Sequence, residues 1–409
     1  MKCRHCYSDV KLTFVDLGMA PPSNAYLTKE TIKLNEQFFP LKVLVCEQCW
    51  LVQTEDFLNA TEVFNHDYAY FSSYSDSWLL HCKQYVDVMI NRFKLNINHL
   101  VIEVAANDGY LLQYFKNYSI PCIGIEPTAS TAEAARKKGI SIIEDFFGTN
   151  LSKKLVSQNK QADLIIANNV LAHVPDINDF VSGFTTLLKP NGIATFEFPY
   201  LLQLIKNMQF DTIYHEHFSY FSLSVIDRIF SFNGLEVFDV EEIPTHGGSL
   251  RLFAKRKHNG NQIRSSRVMR YLEDEKKLGV LSENFYTRFQ YKIEKIKNNL
   301  VNFLLEAKKE GKKVAGYGAA AKGNTLINYA AINQDLISYI VDRNPAKQEK
   351  FTPGSHIPIV DENQFHLTKP DYVLILPWNL KHEIIQQINY IREWCGKFVI
   401  AIPDLEIIS

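Results

Sequence analysis

No part of this chain carries a sustained run of basic residues, and its 44 Lys and Arg nearly cancel its 45 Asp and Glu. A protein that tracks nucleic-acid phosphates needs such a run, so that class is disfavoured. No apolar run reaches the roughly 18 residues that span a bilayer, so no membrane partner is expected. The start, MKCRHC, is polar and bears cysteine, unlike a signal peptide. A cytoplasmic location is expected. Repeats at the fixed periods of solenoids or propellers are absent, as are low-complexity tracts. The dinucleotide fingerprint GxGxxG is missing too.

What is present is enough apolar matter for ordinary cores, 46% of 409 residues, in two or three domains. Cysteines number seven, and four fall in pairs, CRHC at 3–6 and CEQC at 46–49. In a reducing compartment, paired CxxC knuckles favour zinc over disulfides. Cys3, Cys6, Cys46 and Cys49 would fill all four positions of a tetrahedron, so the Zn2+ would be structural. His5, inside the first knuckle, reads as a bystander. Cys82, Cys122 and Cys395 read as small hydrophobes.

The text changes character along the chain. Residues 1–65 read as a zinc module of short strands. Residues 66–258 alternate apolar strands (99–105, 121–127, 140–146, 163–171, 192–198) with helix-length segments. That is an α/β pattern, a parallel sheet with helices on both faces. Residues 259–310 are rich in Lys, Glu, Asn and Leu and read as helices acting as a spacer. Residues 311–409 resume the alternation and read as a smaller Rossmann-like α/β domain.

The first middle-domain strand runs into EVAANDGYLL, 103–112. Ligands of open α/β sheets bind at the carboxyl ends of strands. Glu103, Asn107 and Gly109 lie there. A lone glycine argues against a pyrophosphate and fits S-adenosylmethionine (SAM). Glu126, at the end of the second strand, could accept ribose hydroxyls. Asp145 ends the third and could meet an adenine amino group. Asn168, beside Asn169, ends the fourth.

YHEHFSYFS, 214–222, sets His215 and His217 at i and i+2. On a strand they would share one face. Three readings stand: a two-histidine, one-carboxylate metal site, a polar structural strand, or acid/base chemistry. A histidine titrates near neutrality and suits proton abstraction. DYAYFSSYSDSW, 67–78, could form a lid or pack on the zinc module. GYGAAAKGNT, 316–325, offers small residues and Lys322 at a helix start, which suits a diphosphate or close packing. Arg251, in HGGSLR, is a second phosphate candidate. Trp378 could stack on a base or sit in a core.

Together the four cysteines, EVAANDGYLL, YHEHFSYFS, HGGSLR and GYGAAAKGNT resemble the SAM-dependent nucleotide-sugar C-methyltransferases, in order and over nearly the whole chain. The resemblance implies a base at His217, with Tyr214 and Glu216 beside it, His173 after the fourth strand, and a lid tyrosine at Tyr70 or Tyr68. It implies a substrate held between the middle and C-terminal domains, where Lys322, Arg251 and Asn324 are the candidate contacts. It further implies methylation at C-3 of a dTDP- or GDP-linked 4-keto-6-deoxy or 2,6-dideoxy sugar by a monomer. Methylation of an oxygen or nitrogen acceptor is the alternative.

Overall fold

A computed structural model describes residues 1–57 and 71–409. The N-terminal module is an antiparallel sheet of β1 (Leu12–Ala20), β2 (Phe39–Val45) and β3 (Val52–Thr54). Each cysteine knuckle is a tight turn. The amide after the first knuckle, Tyr7 N, reaches back to Cys3 O at 3.0 Å, and Trp50 N reaches Cys46 O at 2.7 Å. Tyr7 and Trp50 both take left-handed backbone angles, which lets each turn close behind its second cysteine.

The middle sheet holds β4 (Val101–Val104), β5 (Cys122–Ile125), β6 (Ser141–Ile143), β7 (Ala162–Asn168) and β8 (Leu188–Pro199), paired in parallel. All four residues of β4 are buried, the mark of a strand covered on both faces. The sheet is not wholly parallel, as the alternation had suggested. After β9 (Ser219–Tyr220), an antiparallel pair extends it, β10 (Leu235–Ile243) and β11 (Ser249–Arg256). The turn between them is HGG, in which His246, Gly247 and Gly248 all have positive φ.

The strand β9 leaves its own domain. It pairs with β3 of the N-terminal sheet, Tyr220 opposite Val52. The segment that follows YHEH is therefore the outer strand of the cysteine module.

The third sheet is β12 (Val314–Tyr317), β13 (Ile340–Val341), β14 (Ile359–Val360), β15 (Tyr372–Ile375), β16 (Lys397–Ile400) and β17 (Glu406–Ile408). Its order is β14-β13-β12-β15-β16-β17, parallel except for the last strand. Among the described residues, no helix is long and apolar enough to cross a membrane.

The segment expected to act as a spacer is instead part of the packing. Its helices are Ser266–Leu278 and Phe289–Lys309. The first carries Glu275, fully buried, whose carboxylate accepts Leu223 N at 2.6 Å, Ser224 N at 2.7 Å and the Tyr200 hydroxyl at 2.8 Å. A carboxylate is favoured at that place, because helix Leu223–Phe232 presents unpaired amides there. The second helix stacks Phe289 on Phe14 at 4.6 Å, while Tyr286 just before it stacks on Trp50 at 6.1 Å. One apolar cluster joins Val43 of the N-terminal sheet, Phe210 of the middle domain, Ile293 of this helix and Ile327 of the C-terminal domain. Lys- and Glu-rich text hid this role, because only a narrow stripe of each helix is apolar.

The four knuckle sulfurs meet. Their Sγ atoms lie within 4.8 Å of one another, with Cys3–Cys49 and Cys6–Cys46 each 3.5 Å apart. Four thiolates around zinc at about 2.3 Å give sulfur–sulfur edges of about 3.8 Å, so the set fits the ion. Gln53 Nε2 donates to Cys3 Sγ at 3.3 Å. His5 turns away and bonds Asn178 Oδ1 through Nδ1 at 2.9 Å.

Two outcomes follow from this packing. Cys46→Ser lowers bound zinc below about one ion per chain and drops Tm by more than about 5 °C, read by metal analysis and calorimetry. A variant that stays zinc-loaded and equally stable contradicts a four-thiolate site. Glu275→Ala strands three donors and costs about 2 kcal/mol or more, read as a lower Tm with KM values unchanged.

Candidate active site

The carboxyl ends of β4, β5 and β7 form one rim. After β4 the chain turns sharply, with Ala105, Asn107 and Gly109 all at positive φ. Glu126, just past β5, braces that turn. Its carboxylate accepts Asn107 N and Thr128 N, each at 2.9 Å. Ser72 N donates to the Asn107 side chain at 3.0 Å. Glu103 is fully buried, and burial raises its pKa well above the usual carboxylate range, opposed in part by Tyr110.

Gly109 lies in this turn at φ +75°. A Cβ there would meet Ile140 at 3.1 Å and Ala135 at 3.2 Å. Its lack of a side chain serves this packing and its positive φ. Asp145 lies two residues beyond β6, exposed on the loop, with Oδ1 accepting Phe146 N.

Asn168 ends β7, and Asn169 follows it with φ +55°. The amide nitrogen and oxygen of both side chains are buried and have no hydrogen-bond partner among the described residues. Buried polar groups are normally paired. Two orphaned carboxamides at a strand end therefore mark room for a polar ligand. The residues present fit SAM: Glu126 and Asp145 offer acceptors, and the asparagines offer both donors and acceptors.

YHEH is not a strand. His215 and Glu216 occupy a turn, with His217 N bonded to Tyr214 O at 2.9 Å. In a turn the side chains at i and i+2 diverge. His215 bonds Pro40 O through Nε2 at 3.3 Å and packs on Phe39. Glu216 faces Asn24, whose amide nitrogen lies 2.8 and 2.7 Å from its two oxygens. The two-histidine, one-carboxylate metal site is not formed. Among the described residues, the four cysteines are the one cluster able to hold a metal.

His217 points elsewhere, into a buried nest of rings. Its centroid lies 3.9 Å from Tyr214 and 4.7 Å from His173. Nδ1 is 2.7 Å from Thr212 O. A carbonyl can only accept, so Nδ1 carries the proton and Nε2 keeps its lone pair. Burial, then the neighbouring His173, hold the His217 pKa well below the usual histidine range, and His246 and Lys322 add to this. The ring is neutral at pH 7. His173, in the turn Leu171–His173, is pushed down to about 4 by burial and bonds the main chain of Glu216. Tyr68 and Tyr70 lie outside the described residues.

The cysteine module grips this turn. Arg4, within the first knuckle, takes Gln53 Oε1 on its amide at 3.0 Å and Thr54 O on its guanidinium at 2.7 Å. Thr54 Oγ1 then donates to His217 O at 3.1 Å.

The C-terminal domain closes the other side. Lys322 donates to Asn379 Oδ1 at 2.6 Å, and its ammonium sits 4.8 Å from the Trp378 ring centre. Asn324 is tied on one side only, its Oδ1 buried with no hydrogen-bond partner among the described residues. It is fully buried within helix Ala321–Tyr329, and its Nδ2 donates to Ser23 O at 2.7 Å. Arg251 is not a free cation. Its Nε donates to Glu197 Oε1 at 2.6 Å over the Tyr85 ring, and the other Glu197 oxygen meets His81 Nε2 at 2.8 Å. A strand position opposite Glu197 fixes that pairing, which isolated text could not show.

Sequence reasoning missed Asn24, Asp211 and His246. Asn24 lies in PPSNAYL, read only as a loop. Asp211 is buried and accepts from Trp378 Nε1 at 2.7 Å. Nothing in their local text sets them apart.

Comparison with known proteins gives matches along the whole chain. A C-methyltransferase C-terminal domain matches residues 244–403, a zinc binding domain 3–64 and a methyltransferase domain 83–240. The C-methyltransferase NovU of Streptomyces niveus is 34% identical over 408 residues, covering 100% of this chain and 97% of that protein. A ubiquinone biosynthesis O-methyltransferase of Rhodopseudomonas palustris (strain TIE-1) is 26% identical over 26% of this chain and 45% of its own. A magnesium protoporphyrin IX methyltransferase of Synechocystis PCC 6803, solved with bound SAH, aligns at TM-score 0.36 and 16% identity over 44% of this chain and 83% of its own. With NovU matched along its whole length and all three domains in order, this chain belongs to the C-methyltransferase family and is a SAM-dependent methyltransferase with a structural zinc domain.

Proposed function

We propose that this enzyme methylates C-3 of a nucleotide-linked 4-keto-6-deoxyhexose. The observation that carries the reading is the bond from His217 Nδ1 to Thr212 O, which leaves a neutral, buried imidazole with a free basic nitrogen. Methylating carbon requires a carbanion, and a ketone beside the carbon makes that carbanion an enolate. Bound SAM supplies an electrophilic methyl group.

The chain's own residues do the rest. Nε2 of His217 takes the C-3 proton, α to the C-4 ketone. Tyr214 flanks the imidazole and offers its hydroxyl to the enolate oxygen, and His173 packs against the same ring. Burial keeps water from the enolate. Glu216, tied to Asn24, fixes the turn that carries His217. The nucleotide diphosphate belongs to the C-terminal domain, near Lys322 at the start of helix Ala321–Tyr329. The nucleotide is dTDP or GDP.

Purified enzyme, SAM and a panel of dTDP- and GDP-4-keto-6-deoxy sugars test the reaction. The expected result is S-adenosylhomocysteine and a product one methyl group heavier, only with 4-keto substrates. Turnover without a ketone overturns carbon methylation. His217→Asn lowers kcat by about 10²–10⁴-fold and abolishes C-3 deuterium wash-in, with SAM affinity retained. Retained wash-in removes His217 as the base.

Glu216 makes a pH prediction. Burial raises its pKa from 4.5 to about 7. Between those values the folded state holds a proton that the unfolded state has lost. Stability therefore falls as pH rises through this window, by up to about 3 kcal/mol. Glu216→Gln flattens the fall in Tm between pH 5 and pH 8. A variant with the same pH dependence as the parent contradicts the buried carboxylate.

A further inference from the structure

The turn Phe210–Thr212 supplies the carbonyl that sets the His217 tautomer, yet the C-terminal domain holds this turn from outside. Asp211 is fully buried, and its Oδ2 accepts the indole N–H of Trp378 at 2.7 Å. Its Oδ1 is buried with no hydrogen-bond partner among the described residues. The next carbonyl along, Ile213 O, accepts the hydroxyl of Thr325 at 2.9 Å. The Thr212 carbonyl thus lies between two residues, each anchored by the C-terminal domain.

The HGG turn completes the clamp. Gln209 Nε2 donates to Gly247 O at 2.7 Å. Gly247 sits at φ +90°, and a Cβ there would lie 2.4 Å from Cη2 of Trp378 and 2.7 Å from Gln209 Nε2. Glycine is what lets the indole reach Asp211. These ties join parts of the chain with no local relation, since Trp378 and Asp211 are 167 residues apart.

We infer that Trp378 and Asp211 are positioning residues for the proton-abstracting histidine: the C-terminal domain aims His217 through the Trp378–Asp211 bond and the Thr212 carbonyl, besides carrying substrate. The inference rests on His217 being the base. Neither residue touches the reacting atoms. Loss of the bond lets the Thr212 carbonyl move, and Nε2 loses its line to the C-3 proton. Small misplacements of a base lower rates steeply.

The test is Trp378→Phe, which keeps an aromatic side chain but loses the fused ring against Gly247 together with the indole N–H. Asp211→Asn is a second variant, keeping an acceptor for the indole. Each is measured in the full-length enzyme for kcat, KM for sugar and SAM, and C-3 deuterium wash-in. Trp378→Phe is expected to lower kcat and wash-in about tenfold with KM unchanged, and Asp211→Asn to lower them less. On a His217→Asn background, Trp378→Phe has no further effect. A raised sugar KM at unchanged kcat overturns the inference and makes Trp378 a substrate contact. So does an equal further loss on the His217→Asn background. If His217→Asn alone keeps wash-in, the base assignment fails instead. If Trp378→Phe does not fold, the Asp211→Asn result decides by the same comparisons.

Discussion

The bond between His217 Nδ1 and the Thr212 carbonyl, 2.7 Å long, is the constraint on which the site depends. It fixes one tautomer of one ring in a place where burial forbids charge. An exposed histidine would sample both tautomers and both charge states near pH 7. Here geometry selects a single state, neutral and with a lone pair on Nε2. Tyr214 and His173 pack around that ring.

Three domains supply the support. The cysteine module reaches the His217 carbonyl through Arg4, Gln53 and Thr54. Its loop sends Asn24 to Glu216. The strand after the turn, β9, is the edge of the module's sheet. The cysteine cluster is thus joined to the His217 turn through Gln53, Arg4 and Thr54. On the far side, helix Phe289–Lys309 fills the space between the N-terminal sheet and the C-terminal domain. The middle domain supplies the rim of β4, β5 and β7, where the buried amide groups of Asn168 and Asn169 lack partners among the described residues. The His217 turn sits where these three parts meet.

Charge in the site is arranged by pairing as well as by burial. Arg251 and His81 both turn to Glu197, so a buried carboxylate stays below its ordinary pKa despite desolvation. Lys322 is held by Asn379 and the face of Trp378, and burial lowers its pKa. A cation so placed is poorly hydrated and lies close enough to act on His217 and His246. It favours the neutral forms of both.

Much of this was legible in the chain. Paired CxxC knuckles, buried strand runs and polar strand ends are local patterns, set by turn geometry and by which faces are covered. They were enough to show the zinc module, the two α/β sheets, the rim of β4, β5 and β7, and YHEH as the segment of interest. The tertiary structure decided what each polar side chain does. His215 and His217 are alike in the text, and only the turn sends one to Pro40 and the other to Thr212. Only the fold pairs Arg251 with Glu197 and ties the Asn324 amide nitrogen to Ser23 O. Asp211 and Trp378 carry no local signature, because their bond closes a loop of 167 residues. Local patterns encode elements, since they depend on neighbours in sequence. Hydrogen-bond partners at a domain junction depend on neighbours in space, and these exist only once all three sheets have docked.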